Sequence, residues 1–172
     1  MAAVIPNTIQ STAAGFQPAF QFVSTEGDRH GDALAVIASV AGVSLKEVFK
    51  RAETLGMPKT GPYSHWVDSD LIGSLLTIFG WSSTEWKEVT AMTHLPALSI
   101  CLVEYDSDWE VGRYVLVHSG AKCSHDAKTI SYLVDPSATD VQLQIHTDLK
   151  ALGPAWYIGV QPQKGPSTPA KK

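Results

Sequence analysis

Few side chains in this sequence are able to do covalent or proton-transfer chemistry, and their settings narrow what they can do. There are two cysteines, Cys101 and Cys123. Cys101 stands between Ile100 and Leu102 in an apolar run, the setting of a buried, inert thiol. Cys123 falls in a polar stretch, where any reactivity is incidental. Six histidines, His30, His65, His94, His118, His125 and His146, are scattered with no pair at metal-ligand spacing, so no metal site is expected. His125-Asp126 reads as a solvated loop. No glycine-rich loop able to cradle a phosphate is present, and no cofactor is implied.

Two other places carry more chemical promise. Residues 31–42 read as a helix that is apolar on nearly every side, capped by Asp32 and stopped by Gly42. Its first turn directs unpaired N–H groups and a partial positive charge at whatever lies ahead, which favours an anion. Arg113, His118 and Asp135 lie on two apolar stretches that flank the polar residues 119–128. A hairpin symmetric about Ser124 sets Arg113 opposite Asp135 as a cross-strand ion pair and His118 opposite Ile130. A rival register needs a long irregular hairpin to bring His118 to Asp135. The symmetric register is preferred because turn geometry fixes hairpin pairing. Arg113 stays protonated and cannot serve as a base. Asp135-Pro136 is also a common turn former.

The elements that must position these groups divide the chain into an α-rich first half and a β-rich second half. Residues 1–20, rich in Ala, Thr, Gln and Pro, form an extended arm, draped over the domain or docked on a partner. Residues 21–23 read as a short strand. Ser44 and Glu47 have capping-box spacing at the start of a helix over 45–55, with Leu45, Val48, Phe49 and Ala52 inward. Gly56, Pro58, Gly61 and Pro62 break the chain. A third helix is predicted over 69–79 and a short fourth within 81–92. Strands follow at 98–105, 113–118, 129–135 and 156–160, with helical spacing at 143–152. This order predicts an α+β fold in one domain over 21–161, followed by a flexible tail at 162–172.

Composition excludes several classes. At 172 residues with a net charge of -4, the chain can bury a core and offers no basic surface for nucleic acid. No apolar stretch is long enough to span a membrane, and the N-terminus lacks a secretion signal, so a cytoplasmic location (or a phage or mobile-element assembly) is the expectation. Trp66, Trp81, Trp86, Trp109 and Trp156 belong to the core or line a peptide groove.

Over residues 22–160 the chain resembles the papain-like fold, specifically the C39-like cysteine peptidases. The resemblance rests on the small-residue helix ending Ala41-Gly42-Val43-Ser44, the helix after it, and two later runs. These are Gly112-Arg113-Tyr114-Val115-Leu116-Val117 and Tyr132-Leu133-Val134-Asp135-Pro136. It implies a helical half packed on an antiparallel sheet. It also implies a nucleophilic Cys in the first turn of the central helix, an oxyanion Gln before it, a His leading the glycine-led strand and an Asp ending the next. In this chain, counting back from Ala41-Gly42 places the nucleophile at Asp32. The Asp-Cys order places it at Ala33, and the Cys-Gly order at His30. None is a thiol. Arg113 occupies the histidine position in the symmetric register, and His118 does so in the rival one. For the oxyanion residue, Gln21 lies far upstream, and Ser24 or Glu26 would be substitutes of different chemistry.

The resemblance therefore implies a catalytically degenerate peptidase homologue that binds a peptide or protein, with no nucleic-acid or membrane partner and with assembly possible through the terminal arms. The alternative is a cysteine peptidase whose thiol is replaced at position 33, with His118 and Asp135 remaining.

Overall fold

The computed structural model describes residues 3–25, 31–60, 63, 66–150, 153 and 156–163. Its centre is α1 (Asp32–Ala41), in which Asp32 to Val40 are all buried. The helix packs on α2 (Leu45–Thr54), on α3 (Ser69–Ile78) and on the long strand β7 (Val111–Cys123), so every side of it has an apolar neighbour. Gly42 ends it at φ 66, the left-handed conformation that glycine adopts without a Cβ penalty. Ser44 Oγ accepts the Glu47 N–H at the start of α2, and Asp68 Oδ1 accepts the Leu71 N–H at the start of α3.

Three short strands precede α1: β1 (Thr8–Ile9), β2 (Ser11–Thr12) and β3 (Gly15–Phe16). After α3 come β4 (Trp81–Ser83), β5 (Lys87–Glu88) and a 3-10 turn at Met92–His94. They stand where a fourth helix was predicted. Trp81 to Ser83 pair with Pro162 to Val160 on the last strand, which holds the segment extended. Then follow β6 (Leu98–Asp106), β7, β8 (Thr129–Val134), α4 (Val141–Gln144), β9 (Ile145–His146) and β10 (Trp156–Pro162). The single turn α4 overlaps the predicted 143–152 helix only at Leu143 and Gln144, because Ile145 and His146 pair with Val134 and Leu133. Residues 151 and 152 lie outside the described residues. No strand forms at 21–23.

The sheet runs β4-β10-β6-β7-β8-β9, antiparallel throughout, with β1 added parallel to the far end of β7 and β5 added to β10. One face, through Leu98, Ile100, Leu116, Tyr132, Val134 and Ile158, packs on the helices. The other, through Cys101, Val103, Val115, Val117 and Leu133, is covered by Leu95 and flanking residues. The β7–β8 pairing differs from the symmetric hairpin. It sets Leu116 against Val134 and His118 against Tyr132, then slips so that Ala121 faces Ile130. Gly120 at φ 73 sits in this irregularity, which the even-register expectation did not include.

Residues 3–20 lie across the domain. The Lys122 N–H donates to the Asn7 carbonyl and the Ser124 N–H to the Ile9 carbonyl. At the other terminus β10 reaches Pro162, one residue beyond the domain end expected from sequence. Gln163 N–H donates to the Gly80 carbonyl, and residues 164–172 lie outside the described residues. Among the described residues, no helix is long and apolar enough to cross a membrane.

Candidate functional site

The candidate site forms where β7 begins beside the first turn of α1. Gly112 opens it. A Cβ there would stand 2.8 Å from Leu102 Cδ1 and 2.9 Å from the Val103 carbonyl oxygen, so β7 can approach β6 this closely only with a glycine. The β6–β7 ladder shifts register just beyond, between Val103 and Asp106, and Glu104 adopts φ 51 there.

Arg113 is consumed by its neighbours. Its Nε and Nη2 donate to Glu104 Oε2 and Oε1 at 2.7 and 2.9 Å, a two-pronged pair. Its Nη1 donates to Asp135 Oδ2 at 2.6 Å and to Ser137 Oγ at 3.2 Å. Asp135 is nearly buried, and its other oxygen accepts the Ser137 N–H and hydroxyl at 3.1 and 2.8 Å. The hydrogen bonds from Arg113 hold the Glu104 carboxyl below its usual range. Those from Arg113 to Glu104, and then to Asp135, push the guanidinium pKa up despite its partial burial. The ion pair thus closes although Arg113 and Asp135 are not paired in the strand ladder, because Asp135 lies just past its end.

One residue on, the Tyr114 N–H donates to Asp32 Oδ2 at 2.6 Å, and the Ala33 N–H donates to Asp32 Oδ1 at 2.9 Å. Asp32 is therefore not the cap expected from sequence. Gly31 holds that position without a side-chain bond, and Asp32 is the first helical residue, its carboxylate tying α1 to β7. Burial raises the Asp32 pKa to about 6, against the opposing pull of these N–H donors and of the Arg113 charge. Burial, with the charges of Asp32 and Asp68, raises Tyr114 to about 12. The Trp86 ring lies 6.1 Å from that of Tyr114.

The structure thus brings Asp32, Ala33, Arg113 and Asp135 to one place. His118 it places elsewhere. β7 runs thirteen residues, so His118 falls mid-strand, 1% exposed. Its ring bonds Tyr132 and the Pro6 carbonyl, while Asp135 bonds Arg113 and Ser137. Ala33 is 1% exposed inside α1. His30 and Glu26 lie outside the described residues. Gln21 lies toward the other end of α1, where its carbonyl accepts the Ser39 hydroxyl. Ser24 precedes Thr25, whose N–H donates to the Pro136 carbonyl. Cys101 is fully buried, and burial pushes its thiol up to about 12. Of the tryptophans, Trp81 is core and Trp109 is the most exposed. Sequence reasoning missed Glu104 and Ser137. Ser137 was findable as the residue two beyond Asp135 in an Asp-Pro-Ser turn, whereas Glu104 depends on the bulge.

Among the described residues no group of three or more His, Cys, Asp or Glu could hold a metal ion. The cluster offers a fixed cation, three carboxylates and backbone N–H groups. Among the described residues it includes no thiol and no imidazole.

No protein-family model matches this chain, and no curated protein matches it. Solved structures do. One is the crystal structure of a double glycine motif protease from an AMS/PCAT transporter in complex with the leader peptide. It superposes with a TM-score of 0.52 over 84% of this chain and 92% of that one, at 12% sequence identity. The chain therefore has the α+β, papain-like fold of the C39 double-glycine proteases. At this identity the likeness establishes fold.

Proposed function

We propose that this chain is a non-cutting version of that fold, which holds an extended peptide between the first turn of α1 and the β7–β8 end of the sheet. The observation that carries the reading is Arg113. It stands on the glycine-led strand, beside the strand-ending Asp135, bonded on three nitrogens. A guanidinium does not give up its proton at physiological pH, so this position cannot take a proton from a nucleophile. The helix terminus that would favour a thiolate is occupied by the Asp32 carboxylate. Recognition needs neither group, since an extended backbone is held by main-chain bonds and side-chain pockets.

The solved relative in fold binds a leader peptide, which supplies the probe. A fluorescently labelled peptide carrying a double-glycine motif is titrated with the full chain by anisotropy, and the mixture is incubated overnight and analysed by mass spectrometry. The expected result is saturable binding with the peptide intact. Cleavage after the glycines would overturn the non-cutting part of the reading. Anisotropy that stays flat up to millimolar protein would overturn the binding part.

A further inference from the structure

The buried pair His118 and Tyr132 is not used by the site above, yet it is the most elaborate polar arrangement in the core. Tyr132 is fully buried, and its hydroxyl oxygen accepts the Ala19 N–H at 2.8 Å and the Phe20 N–H at 3.3 Å. With both lone pairs engaged, the Tyr132 hydroxyl proton is left to point at His118 Nδ1, 3.1 Å away. Nδ1 is then an acceptor. The Pro6 backbone also lies against the ring. The Tyr132 contact thus assigns the neutral tautomer, Nδ1 bare and Nε2 protonated.

Among the described residues, the side-chain hydrogen bonds this pair makes outside itself go to the end of the N-terminal arm, to Ala19 and Phe20. Phe20 also packs edge-on against the His118 ring at 5.2 Å, and Phe16 lies 5.2 Å from the Tyr132 ring. The geometry points to a pH-released strap, in which neutral His118, acting with Tyr132, clasps residues 16–20 to the sheet and lets them go when its ring takes a second proton, while β1 stays paired with β7. Protonated Nδ1 becomes a donor facing a hydroxyl that already receives two N–H groups, so three protons converge on one oxygen with two lone pairs. Either the Tyr132–His118 bond or the grip on Ala19 and Phe20 must break.

Among the described residues, no charge acts on the His118 ring. The residues paired or stacked with it are Leu98 on β6, Tyr132 on β8 and Phe20 on the arm, and of these Tyr132 alone titrates. Burial accordingly lowers the His118 pKa below its ordinary value, the Pro6 carbonyl opposing this in part. Release has consequences on two sides. Ala19, Phe20, Gln21 and Val23 form part of one wall of a cavity of about 630 Å³, whose far wall is the C-terminal end of α1 with Phe79 and Trp81. Lifting the arm bares that apolar wall. The arm also continues to Thr25, bonded to Pro136 beside Asp135, so the same step loosens one edge of the candidate site.

Hydrogen exchange of the full chain at pH 7.5 and pH 5.0, corrected for intrinsic rates, tests the strap. Amides of Ala19 and Phe20 are expected to exchange at least tenfold faster at the lower pH, while those of β6 and β8 stay protected. His118→Asn keeps an acceptor toward Tyr132 and removes the titration, so its arm stays closed at both values. Tyr132→Phe removes the acceptor and opens the arm at both. Nitrogen NMR of the wild-type ring provides a reading that needs no variant. It should show the Nε2–H tautomer at neutral pH and a titration midpoint coinciding with arm release. An Nδ1–H tautomer, equal corrected exchange at the two pH values, or acid release persisting in a folded His118→Asn protein would each overturn the proposal.

Discussion

At the scale of single residues, Arg113 is the group whose removal should be felt most. A fully buried pair broken on one side costs several kcal/mol, whereas an exposed pair is worth little. Arg113 lies between these limits, its side chain 22% exposed against 8% for Asp135. Arg113→Met should therefore destabilise the chain by about 2 kcal/mol, because it strands a nearly buried carboxylate. Adding Asp135→Asn should recover part of that loss, since the amide oxygen still accepts from Ser137. Urea denaturation of the two single variants and the double variant measures the coupling, and strict additivity would show that the pair contributes nothing. Ala33 supports a second prediction. A thiol placed there by Ala33→Cys would feel the helix terminus, which lowers a thiol pKa, and burial beside the Asp32 carboxylate, which raises it. With 1% exposure, burial should win. In a Cys123→Ser background the new thiol should alkylate slowly, with a midpoint no lower than that of a free cysteine. A midpoint shifted well into the acid range would revive the reading in which only the nucleophile has been replaced.

At the scale of elements, the two glycines of β7 separate crowding from backbone strain. Gly112 is enclosed: a Cβ would press on the Val103 carbonyl, which belongs to the paired strand and cannot swing away. Gly120 has φ 73 but nothing within 4 Å of the Cβ position. Gly112→Ala should cost about 1–3 kcal/mol as overpacking does, and Gly120→Ala about 1 kcal/mol, the penalty for a left-handed alanine. Thermal melts of both variants test the order, and a larger loss at Gly120 would contradict it. Much of this level was legible in the sequence. Helix α1, the capping of α2 by Ser44 and the cores of β6, β7 and β8 all follow from periodicity and cap chemistry. What escaped depends on distant partners. The segment at Trp81 becomes a strand because β10 lies alongside it, and Ile145-His146 because β8 does. The bulge at Gly120 moves the register by two residues, from Ile130 to Tyr132 opposite His118, and only a local period was available to foresee it. The side chains gathered at the site were partly readable for the same reason: Arg113 and Asp135 follow from strand order, Glu104 from an irregularity.

At the scale of the whole molecule, two buried groups of opposite sign should shape how stability varies with pH. Burial raises the folded Asp32 pKa to about 6, against an ordinary value of 3.8. Its folded form holds the proton more tightly, so its stabilising contribution is full below the unfolded value and lost as pH rises through about 6. The charged, buried carboxylate then costs about 3 kcal/mol relative to acid conditions. His118 runs the other way. Its folded pKa lies below 6.5, so its contribution is full above 6.5 and lost as pH falls toward the lowered value. Between pH 5 and 6.5 the two slopes oppose each other, which flattens the wild-type profile there. Glu104, held below its usual range, affects only more acid conditions. Removing either group should expose the other. Asp32→Asn, although less stable overall because an amide nitrogen must face a backbone N–H, should lose stability steadily as pH drops from 7 to 5. His118→Asn should gain it over the same interval. Urea midpoints at half-unit steps of pH provide the measurement. Parallel profiles for the wild type and both variants would show that neither group changes its proton affinity on folding, and the flatness would then need a cause outside these two residues.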